Sequence, residues 1–219
     1  MNNKAFLFDL DGTLIDTMPW HFKTWQLVVS EMGSTLQSDA LMKELYGNGA
    51  ELMNRLIPGR IFTEEEAKAI VDAKEERYRN LYGKQITVLE GAREFLEDGL
   101  RLEIPMGIGT ASNQANIDFA LDQLTLRSYF TAIVGADDVQ LSKPHPETWL
   151  KLAQALQTQP AQCIVFEDAP KGVEAAQAAG MKAVAITGHY AANDFTAYDN
   201  ILKIVPGFHA LNINELLYL

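Results

Sequence analysis

Apolar and polar residues follow two rhythms along this chain. Short apolar runs recur at Ala5-Phe6-Leu7-Phe8, Ile104 to Gly109, Ala132-Ile133-Val134, Cys163-Ile164-Val165-Phe166 and Ala183-Val184-Ala185-Ile186, with Ile204-Val205 a short last one. Each is bounded by turn signals, the pattern of a strand buried on both faces. Between them the spacing becomes helical. Helices are predicted from Gly91 to Leu100, through Ile117, Ala120, Leu121 and Leu124, from Pro146 to Leu156, from Pro170 to Gly180, and from Asn212 onward. Strands alternating with helices predict an α/β fold: a doubly wound, mostly parallel, Rossmann-like sheet.

One stretch breaks the alternation. Phe22, Trp25, Val28, Val29 and Met32 share one helical face, and Gly33 stops that helix. Leu41, Met42 and Leu45 predict a second helix, stopped by Gly47-Asn48-Gly49. Leu52, Met53 and Leu56 predict a third, stopped by Pro58-Gly59. Thr63-Glu64-Glu65-Glu66 has the form of a capping box, and the helix behind it carries Ala67, Ile70, Val71, Tyr78 and Leu81 up to Gly83. Residues 17–87 therefore read as an all-helical cap, inserted into an α/β core made of 1–16 and 88–219.

Composition narrows the function. The chain has 219 residues and 47% apolar content, which suits one large domain or a core with an insert. The formal charge is -11, with Lys and Arg scattered, which argues against nucleic acid as the main partner. Phosphate substrates stay open, because a metal ion can invert the local field. A lone cysteine, Cys163, excludes an intrachain disulfide and fits a reducing cytoplasm. Met1-Asn2-Asn3-Lys4 runs straight into the first strand. We expect no signal peptide, no membrane partner, and a monomer or weak dimer.

Chemistry concentrates where strands end. In open α/β sheets, ligands sit beyond the carboxyl ends of the strands. The first strand stops at Asp9-Leu10-Asp11-Gly12-Thr13. Two carboxylates this close repel unless a cation or proton intervenes, and a divalent magnesium ion suits oxygen ligands. Thr110 follows the second strand, Lys143 lies in the loop after the third, and Glu167-Asp168 closes the fourth. A carboxylate can attack phosphorus, and a second can move the proton. A hydroxyl and an ammonium can bind phosphoryl oxygens, and further acids can hold magnesium.

These motifs, in this order, resemble the four motifs of the haloacid dehalogenase superfamily of phosphatases. The resemblance spans nearly the whole chain, and the insert is similar to that superfamily's small helical cap. Asp16-Thr17, His21 and Phe166-Glu167-Asp168-Ala169-Pro170-Lys171-Gly172 resemble its β-phosphoglucomutase-like branch. The resemblance implies a magnesium-dependent phosphatase acting on a small phosphorylated metabolite, such as a sugar phosphate, through an aspartyl-phosphate. Asp9 would be nucleophile and metal ligand. Asp11 would be general acid/base, its backbone carbonyl a further ligand. Thr110 and the backbone at Ala111 would bind the phosphoryl group, with Ser112 and Asn113 beside them. Lys143 would steady Asp9 and the phosphoryl oxygens, and Glu167 and Asp168 would hold magnesium. Thr17 and His21 would couple cap closure to Asp11.

The rival within the family is a phosphomutase of the β-phosphoglucomutase type. Those mutases place Lys-Gly-x-Ser-Arg in the cap to bind the phosphate that is not reacting. Here the aligned stretch reads Tyr46-Gly47-Asn48-Gly49-Ala50, without either cation. The lysine that follows Ser-Ala-Ser in mutases is replaced by Asn113 after Thr110-Ala111-Ser112. Arg55 or Lys43 could substitute. A metal-free dehalogenase is disfavoured by Asp11, Glu167 and Asp168. A phosphorylatable receiver domain combines the same residue types, but it is shorter and lacks a helical insert.

Blander roles stand beside these. Thr110 or Ser112 could cap the helix that follows. Glu167-Asp168 could be an ordinary helix-start pair. An EF-hand is excluded, since its loop would need Gly and Glu where Leu14 and Trp20 stand. His145, His189 and His209 read as surface loop residues, Cys163 as core, and Trp20 and Trp25 as cap packing.

Overall fold

The computed structural model describes residues 4–45 and 49–218. The strands are β1 (Ala5–Phe8), β2 (Met106–Gly109), β3 (Ala132–Val134), β4 (Cys163–Glu167), β5 (Lys182–Ile186) and β6 (Ile201–Val205). The helices are α1 (Met18–Glu31), α2 (Ser38–Glu44), α3 (Gly49–Leu56), α4 (Glu64–Tyr82), α5 (Ala92–Arg101), α6 (Gln114–Gln123), α7 (Glu147–Ala155), α8 (Pro170–Ala178) and α9 (Ile213–Tyr218). The chain divides into two units: Met1–Asp16 with Thr87–Leu219, and Thr17–Ile86.

The first unit is one sheet of order β3-β2-β1-β4-β5-β6, with every neighbouring pair parallel. Side chains alternate across it, as a period of two demands. Phe6, Phe8 and Phe166 face α5, where they join Phe95 and Phe208 in one aromatic cluster. Phe8 and Phe166 stack at 4.6 Å across the β1–β4 pair. Ala5, Leu7, Cys163 and Val165 belong to the other apolar cluster, with Trp149 and Leu152 of α7 and Val173 and Ala176 of α8.

The sequence of β2, Met106-Gly107-Ile108-Gly109, puts both of its glycines on the α7 face. A Cβ at Gly107 would stand 2.7 Å from Leu152 Cδ1 and 2.9 Å from the Ala132 carbonyl oxygen. A Cβ at Gly109 would stand 2.6 Å from the Trp149 ring. The missing side chains let α7 lie directly on the backbone of β2. Period-two continuation then carries Asp9 and Glu167 to this same face, beyond Leu7 and Val165.

The second unit is helical. Trp25, Val29, Leu41, Leu52, Met53, Leu56, Phe62 and Ala67 form its core. The capping box is present: the Thr63 side chain accepts from the Glu66 N–H, and the Glu66 carboxylate accepts from the Thr63 N–H. Lys74 is buried, its ammonium 2.7 Å from His21 Nδ1 and 2.8 Å from Glu75 Oε1.

Several expectations shift. Thr87 belongs with the sheet unit, not the insert, because its carbonyl accepts the Asp16 N–H at 2.9 Å. Gly49 opens α3, and Gly47 and Asn48 lie outside the described residues. Pro146 caps α7 instead of lying in its first turn. The last strand is longer than Ile204-Val205, starting at Ile201. Among the described residues no helix is long and apolar enough to cross a membrane.

Gly107→Ala should destabilise the fold by about 1–3 kcal/mol, the usual cost of overpacking a tight core. Urea unfolding of the variant and the wild type measures it.

Candidate active site

The carboxyl ends of β1 and β4 lie side by side. The Asp9 N–H donates to the Phe166 carbonyl at 2.9 Å, extending the β1–β4 ladder past the last residue of β1. Asp9 therefore stands beside Glu167, the last residue of β4. Lys143 fills the space between them. Its Nζ donates to Asp9 Oδ1 at 2.7 Å, to Glu167 Oε1 at 2.6 Å and to the Gly109 carbonyl at 3.0 Å. Glu167 uses its other oxygen to accept the Ala169 N–H at 2.9 Å. It fits because Gly172, in the first turn of α8, has no side chain: a Cβ there would lie 1.7 Å from Glu167 Oε1.

Asp168 is buried as well, and Thr13 Oγ1 donates to its Oδ1 at 3.1 Å. Ligand atoms of Asp9, Glu167 and Asp168 all lie within 4.8 Å of one another. Burial raises the Asp9 carboxyl to about 7; Lys143 opposes that rise and Glu167 adds to it. Burial likewise holds Asp168 well above the carboxylate range, with Glu167 and Asp9 adding to the effect. Burial acts against the charged form of Lys143, yet Asp9 and Glu167 outweigh it and push its ammonium upward. One ammonium thus faces three carboxylates. The surplus negative charge and the all-oxygen donor set fit a hard divalent cation such as Mg²⁺.

The segment after Asp9 turns sharply. Gly12 has φ 88, a left-handed conformation that glycine takes without strain, and its N–H donates to the Ile15 carbonyl at 2.8 Å. The Asp11 side chain stands outside the three-carboxylate group and accepts a hydrogen bond from Ser112 Oγ at 2.5 Å. Thr110 is buried; its Oγ1 accepts the Ser112 N–H at 3.1 Å and its own N–H donates to the Val134 carbonyl at 3.0 Å. Neither Thr110 nor Ser112 caps α6. Asn113 does, its Oδ1 accepting the Asn116 N–H at 3.0 Å. Ala111 lies in the turn between them, exposed.

Other expected residues stand elsewhere. Thr17 is buried at the start of α1, and its carbonyl accepts from the Trp20 and His21 N–H groups. His21 stacks on Tyr78 at 3.9 Å and bonds to Lys74. Arg55 is engaged by Glu44 at 3.3 Å and Glu51 at 3.4 Å, so its charge is already met within the helical unit. Tyr46 and Asn48, and the side chain of Lys43, lie outside the described residues. His145, His189 and His209 are exposed, and Cys163 is buried.

Three residues of this site escape a reading by motif chemistry. Thr13 orients Asp168, Gly172 makes room for Glu167, and Trp149 lies under Lys143 with its ring centroid 4.2 Å from Nζ. A threonine after Asp-x-Asp-Gly was the available signal for the first. The others act through shape, which residue type does not announce.

The family model for haloacid dehalogenase-like hydrolases matches residues 6–186. The chain belongs to the haloacid dehalogenase-like hydrolase family. It is 36% identical over 183 residues to the fructose-1-phosphate phosphatase YqaB of Escherichia coli, covering 82% of this chain and 94% of that one. It is 31% identical over 190 residues to a β-phosphoglucomutase of Bacillus subtilis, covering 84% and 83%. A solved HAD hydrolase, family IA, variant 3, from Entamoeba histolytica superimposes with a TM-score of 0.90 at 26% identity, covering 98% of each chain. Within the family, the chain stands with the phosphatases of the β-phosphoglucomutase-like branch.

Gly172→Ala should drive the Glu167 carboxylate out of its seat. Divalent-cation affinity, measured by titration calorimetry, should fall roughly 10–100-fold, the usual effect of disturbing what orients a ligand. Unchanged affinity would mean that Glu167 is not held there for a cation.

Proposed function

We propose that this phosphatase hydrolyses a small phosphorylated carbohydrate in two steps, through an aspartyl-phosphate on Asp9, with magnesium as cofactor. The observation that carries this reading is the pairing of two differently held carboxylates. Asp9 is locked by Lys143 among the metal-competent acids, while Asp11 stands apart on Ser112. One suits attack on phosphorus, the other proton transfer.

In the first step an Asp9 carboxylate oxygen forms a bond to phosphorus as the bond to the sugar oxygen breaks. Asp11 gives its proton to that departing oxygen. In the second, Asp11 takes a proton from water as the water oxygen attacks the same phosphorus, releasing phosphate and restoring the Asp9 carboxylate. Thr110 offers a donor to the phosphoryl oxygens, and Lys143, its three donors engaged, offers its positive charge as charge builds there. Asp9, Glu167, Asp168 and the Asp11 carbonyl would hold Mg²⁺, which when bound neutralises phosphate charge and aligns it. The named activity of the Escherichia coli relative supports a sugar phosphate as substrate.

The mutase reading keeps the support of the Bacillus subtilis relative. Against it stands the cap sequence. Ala50 occupies the place of the mutase arginine, and Arg55, a possible substitute, is engaged by Glu44 and Glu51. A buried second phosphate without a cation would be costly.

Asp9→Asn should abolish turnover, since an amide does not attack phosphorus. Asp11→Asn should slow it by roughly 10²–10⁴-fold, the worth of general acid/base catalysis, with magnesium affinity little changed. Purified Asp9→Asn protein turning over at the wild-type rate would sink the mechanism.

The substrate reading is tested with a panel of sugar phosphates, nucleotides and pyrophosphate, followed by phosphate release with magnesium and after chelation. Release from sugar phosphates, lost on chelation, is expected. β-Glucose 1-phosphate is then supplied with a trace of the 1,6-bisphosphate. Glucose 6-phosphate forming much faster than free phosphate would replace hydrolysis with mutase chemistry.

A further inference from the structure

We propose that Trp149 is the positioning residue of Lys143, and that its indole face fixes the ammonium between Asp9 and Glu167. The inference rests on the reaction proposed above, in which Lys143 steadies the nucleophile and the phosphoryl group. A lysine ammonium has three N–H donors, and here each has an acceptor: Asp9, Glu167 and the Gly109 carbonyl. Those three bonds draw the nitrogen toward two carboxylates and the β2 backbone, and the indole bounds it on a further side. Its ring centroid lies 4.2 Å from Nζ, inside the range of a cation–π contact.

The ring is itself held on two other sides. Its Nε1–H donates to the Gly172 carbonyl at 3.1 Å, which sets its rotation. Gly109 lets its six-membered ring settle on the β2 backbone, since a Cβ would come within 2.6 Å of it. Trp149 is fully buried, so no water competes for the ammonium on that side. Gly172 serves both halves of the device. Its carbonyl anchors the indole, and its missing side chain admits Glu167. A phenyl ring would keep the π face and lose the anchor; a leucine would keep apolar volume and lose both.

The test uses the full-length protein with its lysine side chains isotopically labelled. The Lys143 ε-methylene signal, assigned by its loss in Lys143→Met, should lie upfield of exposed lysines in the wild type, because the indole ring current shields it. Trp149→Leu should return it to the exposed position, while Trp149→Phe should leave it upfield. In phosphate release, Trp149→Leu should lower kcat by roughly 10–30-fold with KM unchanged, on the worth of a desolvated cation–π contact. Trp149→Phe should fall between it and the wild type. An unshifted Lys143 signal in the wild type, or wild-type kcat in Trp149→Leu, would overturn the proposal; the first reading needs no Trp149 variant to fold. A protein that cleaves no phosphomonoester while its Lys143 signal is shifted would refute the phosphatase reaction and leave the seat of the lysine upheld.

Discussion

The site depends on one ammonium held between two carboxylates. Burying Asp9, Glu167 and Asp168 together is unfavourable, because each loses water and each repels the others. Lys143 offsets part of that cost with ion pairs at 2.7 and 2.6 Å. What it leaves is a net negative pocket, and a pocket of that kind is a receptor for positive charge. The raised proton affinity of Asp9 reports the same imbalance: without a further cation, a proton is a poor but available substitute.

The placement of these charges follows from the sheet. Pairing of Phe8 with Phe166 sets the register of β1 against β4, and the aromatic stack behind them makes a slip expensive. Alternation then delivers Asp9 and Glu167 to one face, where α7 is already seated against the glycines of β2. The contacts that make a core and the contacts that make a site share the same residues here. Trp149 belongs to the apolar cluster and lies under Lys143.

Much of this was legible in the sequence, for particular reasons. Strand ends are visible where an apolar run meets acid, so Asp9, Asp11, Glu167 and Asp168 stood out. Lys143 and Thr110 gained meaning from their order among the other motifs. Asn113 shows the limit: an asparagine before a helix serves as ligand or cap with the same side chain, and here its oxygen caps α6. Ser112 reads as a phosphate ligand by neighbourhood, while its hydroxyl bonds to Asp11. Trp149 sits at a core position of an amphipathic helix, and nothing in a one-dimensional pattern says that its outer face meets a charge. Gly172 and Gly109 matter by what they lack, and absence has no periodicity. The start of β6 is hidden in the sequence because Lys203, which pairs with Glu215, interrupts the apolar run that begins at Ile201.

The way the helical unit is spliced into the sheet unit bears on how such proteins diversify. On the sheet side, the outgoing and returning segments are bonded to each other. The Asp16 N–H donates to the Thr87 carbonyl, the Leu89 N–H donates to the Leu14 carbonyl, and Ile15 bridges Val88. The two cut ends are thus clamped side by side, independent of what lies between them. Topologically the whole helical unit is the tip of a hairpin. The entropy of closing a loop grows only with the logarithm of its length, about 0.6 kcal/mol per doubling, so the clamp tolerates a large insert far better than its length suggests. A lineage can therefore lengthen, shrink or exchange that tip while Asp9, Lys143 and Glu167 stay in register.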